Sequence, residues 1–151
     1  MHRRVFIQTL AAAAMPAALP LRAQTARPQV EVWKDPSCRC CKDWIAHMRS
    51  SGFSVKTYES GNVEARARLG LPQKLGSCHT ALVSGYVVEG HVPASDVKRL
   101  LKERPKALGL AVPGMPVGSP GMDGPEYGGR KDRYDVLLVQ ADGSTRTFSR
   151  Y

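Results

Sequence analysis

Three of the chain's four cysteines fall within four residues, as Cys38-Arg39-Cys40-Cys41, and the fourth, Cys78, is followed directly by His79. Thiols carry two main kinds of chemistry, disulfide exchange and soft-metal binding, and both run through the thiolate. Cys38 and Cys41 have the C-x-x-C spacing of a redox pair. Four thiolates could also hold metal. Structural zinc sites, however, draw their ligands from C-x₂₋₄-C pairs on two separate knuckles. Here three sulfurs crowd one corner, and the neighbours Cys40 and Cys41 are poorly placed to grip one ion together and better placed to bridge several. That arrangement suits a small polynuclear Cu(I)–thiolate cluster. The third possibility is a framework of two disulfides, Cys38–Cys41 with Cys40–Cys78, since adjacent cysteines rarely bridge and a Cys38–Cys40 link would be strained. Spacing alone leaves all three open.

Softer or borderline donors occur elsewhere. His79 adjoins Cys78 and is a candidate ligand or a support for one. His91 follows the next turn and reads as lying on the far side. Met115 and Met122 are seven residues apart in a Gly/Pro-rich stretch; their thioethers suit Cu(I), but methionines also plug gaps in cores. His47 falls in the middle of a helical pattern and reads as a surface residue.

Several elements must position these groups. Gln29 to Trp33 alternates as a first strand. Asp35-Pro36-Ser37 is turn chemistry, with Ser37 as a candidate helix cap. A helix from about Arg39 to Ser51 puts Cys41, Trp44, Ile45 and Met48 on one face, and Gly52 ends it. Phe53 to Tyr58 alternates as a second strand, so a parallel, right-handed β-α-β unit follows. A short helix from Asn62, its cap, to Leu69 comes next, then a turn begun by Pro72. Cys78-His79 leads into the strand Thr80 to Val83, which turns at Ser84-Gly85 and returns as Tyr86 to Glu89. A further helix starts near Pro93 or Ser95 and stops at Pro105. The stretch 105–133 holds five of the eleven prolines and half of the fourteen glycines. It shows no periodicity, and such a long loop is usually functional or disordered. Tyr134 to Val139 and Ser144 to Phe148 form a final hairpin.

The amino terminus reads as an address. Met1-His2-Arg3-Arg4 is basic, Val5 to Leu21 is apolar but broken by Pro16 and Pro20, and Ala23 suits a cleavage site. Arg3-Arg4-Val5-Phe6-Ile7 has twin-arginine character. Residues 1–23 are therefore expected to be an export signal and the mature chain periplasmic, with no stable membrane span after cleavage. Removing the signal leaves about 128 residues, enough for one domain with one core, and lowers the net charge from +9 to +6. The remaining basic residues are scattered and not interleaved with aromatics, so no nucleic-acid partner is expected.

The order strand-helix-strand, helix, strand-strand-helix resembles a thioredoxin-like domain, with the C-x-x-C at its active corner. The predicted class is α/β, over residues 30–151, with an added C-terminal β-hairpin and a long Gly/Pro-rich loop. Thioredoxins carry a cis-proline just before the third core strand, and this chain has Cys78-His79 there. That topology would bring Cys78 back to the first three cysteines. The chain also resembles the CopG-like proteins of bacterial copper-resistance loci over essentially the whole mature chain. The likeness rests on Cys38-Arg39-Cys40-Cys41, Ser77-Cys78-His79-Thr80-Ala81, 85–94 (Gly-Tyr-Val-Val-Glu-Gly-His-Val-Pro-Ala), 109–116 (Gly-Leu-Ala-Val-Pro-Gly-Met-Pro) and Gly118-Ser119-Pro120-Gly121-Met122. It implies a thioredoxin-like fold, a copper–thiolate site at Cys38, Cys40, Cys41 and Cys78, and a role in interconverting Cu(I) and Cu(II). Copper ions would be the partners, together with other periplasmic copper-handling or electron-transfer proteins. The competing readings are a thiol–disulfide oxidoreductase using Cys38 and Cys41, and a disulfide-stapled binding module.

Overall fold

The computed structural model describes residues 27–151; the expected export signal lies outside the described residues. One mixed sheet runs through them, built from β1 (Gln29–Lys34), β2 (Ser54–Tyr58), β3 (His79–Val83), β4 (Tyr86–Glu89), β5 (Gly109–Ala111), β6 (Asp135–Val139) and β7 (Thr145–Arg150), in the spatial order β2-β1-β3-β4-β5-β6-β7. β1 pairs with β2 in parallel through α1 (Arg39–Ser50), as the alternating runs on either side of that helix require. β3 and β4 form the expected hairpin, turning through Ser84 and Gly85, both with positive φ. β6 and β7 form the closing hairpin.

Period-two alternation divides the core between the two faces of the sheet. On one face Val30, Val32, Val88, Leu110 and Leu138 pack with Trp44, Ile45 and Met48 of α1 and with Val97 and Leu100 of α3 (Ala94–Glu103). On the other face Val87, Ala111 and Val139 pack with Leu71 and Leu75, which follow α2 (Asn62–Arg68). Burying a Leu, Val or Met side chain contributes about 1.5–3 kcal/mol, so both helical stripes tie firmly to the sheet.

The structure corrects the sequence reading of the elements and their caps. The 105–133 stretch is not structureless: it contributes β5 to the sheet and a short 3-10 turn at Pro125–Tyr127. Three residues are too few to show periodicity, and Gly109 is there for contact, since a Cβ on it would lie 1.8 Å from the Val87 carbonyl oxygen. Ser37 does not cap α1. Its backbone N–H and its hydroxyl both turn back to the Asp35 carboxylate, and Cys38 takes the cap position without a side-chain bond. Gly61, not Asn62, occupies the cap of α2, and the Asn62 side-chain amide reaches the Cys78 carbonyl instead. His47 is half-buried, and its Nε2 accepts the Ala94 N–H at 3.0 Å, satisfying an open donor at the start of α3.

Candidate metal centre

Strand register brings the distant cysteine home. β1 and β3 run antiparallel with Lys34 opposite His79, so the residue before His79 lies beside the turn that follows Lys34. That turn is held by Asp35, whose carbonyl oxygen accepts the Cys38 N–H at 3.1 Å. From there α1 begins with no acidic residue in its first turn and no side chain on its open N–H groups. The open N–H groups at this end of the helix face the corner that holds Cys38, Cys40 and Cys41.

All four cysteine sulfurs lie within 4.8 Å of one another. Cys38 and Cys41 are joined as a disulfide, while Cys40 and Cys78 are free thiols 3.8 Å apart. The two-disulfide framework is therefore only half present. Cys40 Sγ is also 3.6 Å from Cys38 Sγ and 4.0 Å from the thioether sulfur of Met115. Met115 is half exposed, at 51 %, so it stands at the solvent side of the cluster.

Two histidines close the inner side. His79 Nδ1 lies 3.4 Å from Cys78 Sγ, and His91 Nε2 lies 3.1 Å from it. His91 is therefore not on the far side. Gly90 is still paired with β3, its N–H bonded to the His79 carbonyl, and the chain then turns at its φ of +69°, with the Val92 N–H on the Gly90 carbonyl, which sets His91 beside Cys78. Its tautomer follows from its neighbours. The Ser119 hydroxyl donates to the Pro116 carbonyl at 2.6 Å, so its oxygen is left to accept Nδ1–H of His91 at 3.3 Å. Nε2 then presents a lone pair to Cys78. His79 is fully buried, its Nε2 has no hydrogen-bond partner, and its ring packs 4.4 Å from that of Trp44.

The electrostatics keep both rings neutral, the form that binds metal. Burial, then the neighbouring His91, lowers His79 to about 3, and burial lowers His91 to about 4. Burial, then the nearby Cys40, pushes the Cys78 thiol up to about 12. In the metal-free protein Cys78 thus keeps its proton, and a metal would have to displace it.

The Gly/Pro-rich loop forms one wall. A Cβ on Gly121 would sit 2.5 Å from the Cys40 carbonyl oxygen and 2.9 Å from the Trp44 nitrogen, so only glycine lets the loop lie against the first turn of α1. The Ser77 hydroxyl donates to the Gly114 carbonyl, fixing the approach to Met115. Met122 faces elsewhere: its sulfur accepts the Tyr127 hydroxyl at 3.1 Å. Of the candidates read from the sequence, the fold therefore gathers Cys38, Cys40, Cys41, Cys78, His79, His91 and Met115. Sequence reasoning missed Ser119, although it sits inside the motif Gly118-Ser119-Pro120.

Among the described residues no helix is long and apolar enough to cross a membrane. The family model described as "Protein of unknown function, DUF411" matches residues 75–122, the segment that carries Cys78, both histidines and Met115. No curated protein matches the chain. Two solved structures do, titled "Copper resistance protein copG", Form 2 and Form 1. Each is 43% identical with a TM-score of 0.77, and they cover 83% of this chain and 99% and 98% of their own. With that identity over nearly the whole of both relatives, this chain belongs to the CopG copper-resistance protein family.

Proposed function

We propose that this is a periplasmic copper-binding protein of copper resistance, folded as a thioredoxin-like domain and carried out by its export signal. It holds Cu(I) on the thiolates of Cys38, Cys40, Cys41 and Cys78 as a polynuclear cluster and passes between Cu(I) and Cu(II). The observation that carries the proposal is the convergence of four sulfurs within 4.8 Å, with a thioether and a neutral imidazole at the same corner. Soft sulfur donors select Cu(I), and imidazole accepts either copper oxidation state. The thiolates bridge ions, Met115 stands where copper enters or leaves, and His91 and His79 support Cys78 from within. Cys38 and Cys41 join the ligand set as two thiolates once an external dithiol exchanges with their disulfide, the dithiol leaving as its own disulfide and giving up its two protons to solvent; until then Cys40 and Cys78 are the available thiols.

The test is metal analysis and free-thiol counting on protein purified from copper-grown cells, alongside single Cys→Ser variants. More than one copper per chain, lost when any one cysteine is replaced, supports the reading. A single tightly held zinc would refute it.

One observation favours a second reading. The bonded Cys38–Cys41 pair at the start of α1 has the spacing and setting that a disulfide exchange centre would use. A thiol–disulfide oxidoreductase would reduce insulin without metal and would tolerate loss of Cys40 and Cys78.

A further inference from the structure

Next to the segment that carries Cys78 lies a buried charge pair that hydrogen-bonds to none of the sulfurs. Glu89 ends β4 on the sheet face it shares with Val87, the face that α2 covers, and it is fully buried. Arg66 reaches it from α2 and is itself 5 % exposed. Their contacts run to each other and to the chain around Cys78. Glu89 Oε1 accepts from Arg66 Nη2 at 2.7 Å, from Arg66 Nε at 3.0 Å and from the Ser77 backbone N–H at 2.6 Å. Glu89 Oε2 accepts the Thr80 hydroxyl at 2.7 Å. Arg66 Nη2 also donates to the Ser77 carbonyl at 2.7 Å, and Nη1 to Gln73 at 3.3 Å. Both backbone groups of Ser77 and the side chain of Thr80 are thus held by buried charges, and Cys78 lies between them.

A buried ion pair is poor value as a source of stability. Its desolvation offsets most of its attraction, and apolar replacements are often neutral or stabilising. What charge-assisted bonds supply is direction. The pair's bonds grip the chain on both sides of Cys78, so it places that residue through geometry. We infer that Arg66 and Glu89 are positioning residues for Cys78, fixing where its sulfur stands relative to Cys40. The consequence for copper rests on the proposed function; the placement of the sulfur does not.

Three variants of the full mature chain separate this from a general loss of stability. Arg66→Met with Glu89→Leu removes both charges and leaves neither one stranded. Arg66→Met with Glu89→Gln restores an acceptor for the Ser77 N–H without a charge. Leu100→Ala, on the buried stripe of α3, destabilises the core and leaves the clamp intact. Two readouts are made on each. One is the bridging of Cys40 and Cys78 by phenylarsine oxide in the metal-free protein, followed by mass. The other is Cu(I) affinity in competition with a chromophoric chelator.

The Met/Leu variant should stay folded by circular dichroism, lose arsenical bridging about tenfold and lose Cu(I) affinity by about 10- to 100-fold, the range for residues that orient metal ligands. The Met/Gln variant should recover much of both, and Leu100→Ala should keep both. Wild-type bridging and Cu(I) affinity in the Met/Leu variant would overturn the inference. So would equal losses in Leu100→Ala, or an unfolded Met/Leu variant whose Met/Gln counterpart folds but bridges no better. If wild type bridges the arsenical but binds no Cu(I), the copper reading fails and the positioning role is still decided by the bridging.

Discussion

Acidification should weaken the metal-free protein before its carboxylates protonate. His79 and His91 are buried neutral, lowered to about 3 and about 4. In the unfolded chain each returns to about 6.5. The folded values lie below the unfolded ones, so the unfolded state binds more protons throughout the interval between them. Stability is then full above about pH 6.5 and is lost progressively as pH falls toward 4 and 3. Between pH 7.5 and 5.5 each histidine should cost about 1.4 kcal/mol, because the unfolded side gains a proton and the folded side does not. The pair together should cost about 3 kcal/mol, a large share of the 5–15 kcal/mol typical of a domain. His47 is lowered as well, by its half-buried site, and acts with the same sign. The assay is urea unfolding of the metal-free protein at pH 7.5, 6.5 and 5.5, with the Cys38–Cys41 disulfide intact. Replacing His79 and His91 together by Gln should remove most of the slope whatever it does to absolute stability. A flat profile in wild type, or an unchanged slope in the double variant, would refute the neutral buried pair.

Other outcomes follow from single contacts. Gly121→Ala puts a methyl group against the α1 backbone at a φ of +92° and should destabilise by about 2–3 kcal/mol. It should also speed alkylation of Cys40. Gly52→Ala carries a matching backbone strain, at a φ of +95° with no atom within 4 Å, but lies past the far end of α1 and should keep the wild-type alkylation rate, so similar rates in the two variants would count against a loop braced on α1. His47→Ala removes the acceptor for the Ala94 N–H and should cost about 1 kcal/mol by denaturant unfolding, as lost helix caps do. Met115→Ala should leave the number of bound coppers unchanged but hasten Cu(I) transfer to a chelator in stopped flow; an unchanged rate would remove Met115 from the exit path.

Much of this site could be read from residue order. The step from Cys38 to α1, the return strand after Cys78 and the two hairpins follow from alternation and turn residues, which are local signals. Gathering Cys78 with the first three cysteines required one long-range pairing, β1 with β3, and the order of elements implied it. The contacts that escaped were those local pattern does not encode. The position of His91 depends on a single tight turn at Gly90, and the role of Ser119 on a loop lying against α1. β5 is too short to alternate and is recognised only by the neighbours it joins. Arg66 reads as one more charge on a helix, and only the fold shows it pointed at Glu89.

The account stands or falls on what surrounds copper in the reduced protein. Copper K-edge X-ray absorption on the anaerobically reduced, Cu(I)-loaded chain reads that directly. A first shell dominated by sulfur, with a second copper visible close by and lost in Cys78→Ser, is the predicted result. A shell of nitrogen and oxygen with no copper neighbour, unchanged in Cys78→Ser, would contradict a cluster built on these four cysteines.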